Sequence, residues 1–194
     1  FVSDGRRITD IHWWGSYLDY LPHDEPPVTP PTNRTAKPIG FYLSWHHDIP
    51  KGAITPWSQP LDPPITNVFV PLSQCNEMYY GPVYQDWKIP PMIEHEFQYY
   101  VDLLDPDMDL EPWLEESGTV YWLNIQAVFT NTWQPGFEHT GWGWKTTPPE
   151  NKWNDDSVLK TNALLVGWEP GTYPEGHPLF PMPCDLAFEL TTDE

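Results

Sequence analysis

The sharpest chemical feature of this 194-residue chain is the acidic run Asp105-Pro106-Asp107-Met108-Asp109-Leu110-Glu111, which continues to Glu116. An EF-hand wraps calcium with oxygen ligands at loop positions 1, 3, 5 and 12, and Asp105, Asp107, Asp109 and Glu116 have that spacing. The match fails at the sixth position, where Leu110 replaces the glycine of the sharp turn, and Pro112 follows closely. Seven acids between Asp102 and Glu116 repel one another unless water or a cation neutralises them. The run therefore reads either as a calcium loop or as a solvated acidic loop, and calcium is the one candidate cofactor. Asn154, Asp155 and Asp156 form a second, weaker oxygen cluster.

Histidine offers less. His46-His47-Asp48 is the only compact group, and adjacent strand residues point to opposite faces, so the two rings do not share one ion. His12 and His95 read as hydrogen-bonded sheet residues. No nucleophile elbow, phosphate loop or dinucleotide fingerprint is present, so the expectation is that the chain is not an enzyme. With 28 acids, a pair of carboxylates suited to glycoside hydrolysis exists somewhere by chance and discriminates nothing.

Tryptophan is the other resource, with 12 in the chain. Gly141-Trp142-Gly143-Trp144-Lys145 puts Trp142 and Trp144 on one face of a strand, flanked by glycines that would leave the rings uncovered. Uncovered rings would stack on sugars or anchor a partner subunit; covered ones would fill a core. Cys75 and Cys184 are a candidate disulfide or two buried thiols, and neither belongs to a metal or redox motif.

The elements that must position these residues are strands. Twenty-five prolines are more than twice the usual share of about 5%, and proline breaks helix interiors. Alternation with period two recurs. Ile39, Phe41, Leu43 and Trp45 oppose Gly40, Tyr42, Ser44 and His46. Residues 93–103, 119–129 and 184–192 repeat the pattern, and 7–17, 67–72, 83–88, 140–146 and 157–168 are weaker candidates. Only 108–117 hints at a helical turn. About nine short strands without strand–helix–strand alternation predict an all-β chain, an antiparallel β-sandwich or jelly roll. Residues 22–38 and 169–183 are long Pro-rich loops, and Asn33-Arg34-Thr35 is a glycosylation sequon. No repeat or second domain is evident, which predicts one domain over 1–194.

Nine bases against 28 acids, a net charge of −19, exclude a nucleic acid partner. No apolar run approaches the 18 or so residues of a membrane span.

Several segments resemble a known domain. Phe1-Val2-Ser3-Asp4-Gly5-Arg6-Arg7-Ile8-Thr9-Asp10-Ile11-His12-Trp13-Trp14-Gly15-Ser16-Tyr17 resembles the opening of an uncharacterised domain of secreted planctomycete-type bacterial proteins, many with a PEP-CTERM sorting tail. Trp45-His46-His47-Asp48-Ile49-Pro50, Trp142-Gly143-Trp144-Lys145-Thr146 and Cys184-Asp185-Leu186-Ala187-Phe188 are similar to later segments of it. The resemblance implies export, a β-sandwich and a secreted or cell-surface location, and it implies no catalytic residues. A start at Phe1 suggests a removed leader, and an end at Glu194 without a sorting tail suggests a free or self-assembling subunit. The functional expectation is a non-enzymatic extracellular structural protein, a subunit of a surface layer, matrix or filament. It would assemble with copies of itself or other surface proteins through strand edges and aromatic contacts. The alternative is a carbohydrate-binding module that uses Trp142 and Trp144, with or without calcium.

Overall fold

A computed structural model describes residues 1–17, 38–86, 92–106, 115–129, 142–152, 155–160 and 167–193. Among them there is no α-helix, and so no helix long and apolar enough to cross a membrane. Eleven strands are present: β1 (Ile8–Tyr17), β2 (Gly40–Ile49), β3 (Gln59–Pro60), β4 (Thr66–Pro71), β5 (Asn76–Gln85), β6 (Met92–Asp102), β7 (Tyr121–Val128), β8 (Trp142–Trp144), β9 (Val158–Leu159), β10 (Glu169–Pro170) and β11 (Phe188–Thr192).

All pairings are antiparallel. In the first sheet β1 lies between β6 and a shared edge, where β11 pairs with its first half and β8 with Gly15–Tyr17; β5 flanks β6. In the second, β2 lies between β7 and β4, with β3 pairing at Asp48 and Ile49. Strands β9 and β10 form a ribbon of their own. The expected antiparallel β-sandwich is what the chain forms. The weak candidate 7–17 is the central strand β1. A register shift between Ile8 and Asp10 disturbs its alternation and lets Ile8 and Ile11 both face inward.

The core lies between the sheets. Ile11 and Trp13 on β1, Phe97, Tyr99 and Val101 on β6, and Phe41 and Leu43 on β2 are completely buried. Trp13 stacks on Tyr99 with centroids 5.3 Å apart, and Phe41 from the opposite sheet meets Trp13 edge-on at 5.3 Å and Tyr99 at 5.0 Å. The Tyr99 hydroxyl donates to Glu77 Oε2 at 3.1 Å and accepts from Trp142 Nε1 at 3.1 Å, so its polar end does not go unpaired.

The Cys75–Cys184 disulfide is not formed. Both are free buried thiols. Cys75 belongs to the inter-sheet core, where burial, then the charge of Glu77, pushes its thiol up to about 12. Cys184 lies against Ser157, whose Oγ is 3.7 Å from its sulfur.

Gly15 is required by packing. A Cβ there would stand 2.2 Å from Cζ2 of Trp142, whose ring lies across β1 at that point. A Cβ on Gly143 would meet nothing within 4 Å, so that position serves as the control. Gly15→Ala is expected to cost about 2–3 kcal/mol by overpacking, and Gly143→Ala less than about 0.5 kcal/mol. Urea unfolding of the two variants checks this; equal midpoints would refute the packing role.

Candidate functional site

The backbone just after strand β8 is held from both sides. Lys145 N donates to Trp14 O at 2.9 Å, and Ala187 N donates to Lys145 O at 2.8 Å. With Gly143 between them, Trp142 and Trp144 share a face, as the spacing predicts, but that face packs inward. Trp142 meets Phe41 edge-on at 5.1 Å, and Trp144 Nε1 donates to Ala187 O at 2.8 Å. Both rings are half-buried and packed against the core, so the expectation of two uncovered rings is corrected. The glycines on either side do not decide exposure; the inward face of β8 and the space above Gly15 do.

Trp144 does border a cleft of about 320 Å3 at one end of the sandwich. Its apolar walls include Trp14, Trp122 and Phe188, and Asp155, Asp185 and Asn151 bring polar atoms to it. The rings are held in place: Trp122 Nε1 donates to Asp48 Oδ1 at 2.7 Å, and Trp144 meets Phe188 edge-on at 6.2 Å. Ser58 Oγ donates to Asp155 Oδ2 at 2.7 Å and fixes that carboxylate. Preset aromatic walls with a few convergent polar groups are the usual make-up of a small-molecule site. Trp122 was hidden in the sequence as the outward residue of a strand, and Asp155 appeared only as part of a weak oxygen cluster.

Residues 1–191 match the family model described as a domain of unknown function, DUF7901. The chain belongs to that family. Neither a curated protein nor a solved structure matches it.

In this DUF7901 domain the acidic run is only partly placed. Asp105 and Glu116 are described, whereas Asp107 and Asp109 lie outside the described residues, as does most of the expected helical turn. Among the described residues no group of three or more His, Cys, Asp or Glu side chains is arranged to hold a metal. His46 and His47 take opposite faces as expected: His46 is buried and His47 exposed. His12 lies 3.2 Å from Asp10 Oδ1, and Tyr79 OH lies 3.1 Å from His95 Nδ1, in keeping with sheet histidines that have partners.

A half-buried ion pair lies beside the strand that carries Trp144. Lys145, next to Trp144, turns the other way and its ammonium donates to Glu94 Oε2 on β6. Ser16 and Gln85 also donate to the Glu94 carboxylate. Burial alone would push Glu94 up, but the Lys145 charge and these three donors hold it below the ordinary glutamate range. A carboxylate with a depressed pKa stabilises the fold above its unfolded value, and that contribution is lost as pH falls through its folded value. Glu94→Gln is expected to destabilise the domain by about 2 kcal/mol at pH 7. The difference from the natural chain should shrink once the pH drops below about 4. Melting curves from pH 7 to pH 3 read this out, and a pH-independent difference would sink it.

Proposed function

We propose that the domain is an exported β-sandwich binding module that takes a carbohydrate in the end cleft. The observation that carries this reading is the cleft itself, with aromatic walls locked by the Trp122 and Trp144 indole hydrogen bonds and with Asp155 fixed at its side. A sugar ring presents an apolar face to an indole and hydroxyls to carboxylates, which is the chemistry these walls offer. Two carboxylates, Asp155 and Asp185, and no lysine or arginine among the described lining residues favour a neutral or cationic ligand over an anionic one. Export and a place among planctomycete-type surface proteins belong to the same proposal and are supported by the resemblance of the opening and later motifs. Calcium on Asp105, Asp107, Asp109 and Glu116 is kept as an accessory to it.

The test is a glycan array followed by calorimetry on the natural chain and on Asp155→Ala, a half-buried residue whose loss leaves the core intact. Binding should weaken at least tenfold, about 1.4 kcal/mol, with the melting temperature little changed. Absence of any glycan ligand would defeat the reading. Repeating the titration after EDTA tests calcium, which predicts weaker binding or a lower melting temperature.

A second reading, a self-assembling structural subunit, is favoured by the exposed side chains of β5. Met78, Tyr80 and Tyr84 are 45%, 62% and 62% exposed, and β5 ends the first sheet. The register shift between Tyr79 and Gly81, together with Pro82, which lacks an N–H, opposes simple addition of a neighbouring strand. Contact between subunits would therefore be made by these aromatic side chains. Sedimentation should show association that the double variant Tyr80→Ser, Tyr84→Ser removes; a monomer at all concentrations would discard this reading.

A further inference from the structure

The outer face of the second sheet carries a group of residues that the binding reading does not use. Alternation along β2 sends Ser44 and His46 to that face, and the pairing register places Asn67 of β4 and Asn124 of β7 directly beside Ser44. Ser44 and His46 are 4% and 3% exposed, yet both line a cavity of about 870 Å3 together with Asp62, Asn67, Asn124 and Lys160.

The hydrogen bonds fix the direction of the protons. His46 Nδ1 is 3.0 Å from the Leu61 carbonyl oxygen, which only accepts, so Nδ1 carries the proton and Nε2 is the free base. Nε2 faces Ser44 Oγ at 3.1 Å. Asn124 Nδ2 donates to the same Oγ at 3.0 Å, which leaves the hydroxyl proton directed at Nε2. Asp62 Oδ1 stands 3.6 Å from Nδ1, too far for a hydrogen bond, and flanks the ring on its Nδ1 side. Lys160 donates to the other Asp62 oxygen at 3.0 Å and holds it there. Trp168 meets the imidazole edge-on at 5.9 Å and fixes its plane.

We propose that Ser44 and His46 form a nucleophile–base pair for acyl transfer from an ester of a small acid, with Asp62 as a positioning residue and Asn124 as the donor to the oxyanion. Ser44 Oγ forms a bond to the ester carbonyl carbon while its proton passes to His46 Nε2. The tetrahedral oxyanion accepts from the Asn124 amide. The carbon–oxygen bond to the alcohol then breaks, and the imidazolium returns its proton to the departing alkoxide. Water, deprotonated by His46, attacks the acyl-serine and releases the acid and the free hydroxyl. The same polar residues acting only as a support for the sheet would need neither the cavity nor a basic nitrogen aimed at the hydroxyl. Acyl transfer here is independent of carbohydrate binding: neither Ser44 nor His46 borders the end cleft, and the test below requires no glycan.

The full chain is incubated with a phosphonofluoridate, whose P–F bond breaks as Ser44 Oγ bonds to phosphorus and fluoride leaves. Intact mass and peptide sequencing should show one adduct, on Ser44, and p-nitrophenyl acetate should be hydrolysed with an initial burst. His46→Gln is expected to slow labelling roughly 100-fold, and Asn124→Ala to slow ester turnover by a similar factor, roughly 100-fold or more. Asp62→Asn should slow both at an unchanged melting temperature, with Asp62→Glu restoring part of the rate, a rescue that a purely structural role does not produce. A folded natural chain that takes no adduct on Ser44, or labelling equally fast in His46→Gln and Asp62→Asn, overturns the proposal. Because Asp62 is half exposed, its variants keep the test valid where Ser44→Ala or His46→Gln fails to fold.

Discussion

The contact between Trp13, Tyr99 and Phe41 is the constraint on which the other features depend. It joins the two sheets at their most buried point, and the stacked pair from the first sheet leaves a flat surface that Phe41 meets edge-on from the second. Such aromatic pairs contribute roughly 0.5–1.5 kcal/mol each beyond the area they bury, and they restrict how one sheet sits over the other. Trp142 is the fourth ring, reaching both Phe41 and Tyr99 across Gly15. Because Trp142 is committed there, strand β8 and Trp144 after it have a fixed place, and so does the cleft that Trp144 borders.

The polar groups inside this apolar frame are handled locally. Tyr99 OH bridges Glu77 and Trp142, and Glu94 is held by three donors from three different segments. Glu115 shows the opposite balance. Burial pushes its carboxyl up, and the Ser3 hydroxyl only partly offsets this. Among the described residues Lys145, Lys152 and Lys160 pair with Glu94, Asp156 and Asp62 and offset part of the strongly negative charge.

The sandwich was legible because its strongest strands bury one face and solvate the other, so Phe41, Leu43 and Trp45, or Phe97, Tyr99 and Val101, declare their side in the sequence. The short elements were not. Strand β5 begins at Asn76, well before the expected 83–88, because Gly81 and Pro82 interrupt its pattern at a bulge. Of the expected strand 157–168 only Val158 and Leu159 pair, with β10, while 161–166 lie outside the described residues. The spacing of Trp142 and Trp144 correctly set their common face but not which way it turned, since that depends on Gly15, more than a hundred residues away. Ser44 and His46 could be read as neighbours on one face. Their meeting with Asp62 could not, because it depends on β3 and the loop after it folding back onto the end of β2.

Strand β7 sets the relation between the two cavities. Trp122 and Leu123 border both, as do Trp144, Val158 and Leu186, so the end cleft and the cavity over Ser44 share a wall one strand thick. Asn124 faces Ser44 from that strand, and Trp122, two residues earlier on the same face, is pinned to Asp48. The same face of one strand therefore supplies an aromatic wall to the end cleft and an amide donor to the cavity over Ser44. Pairing with β2 at eight positions, Gly40 to His47, holds the β7 backbone that carries both side chains.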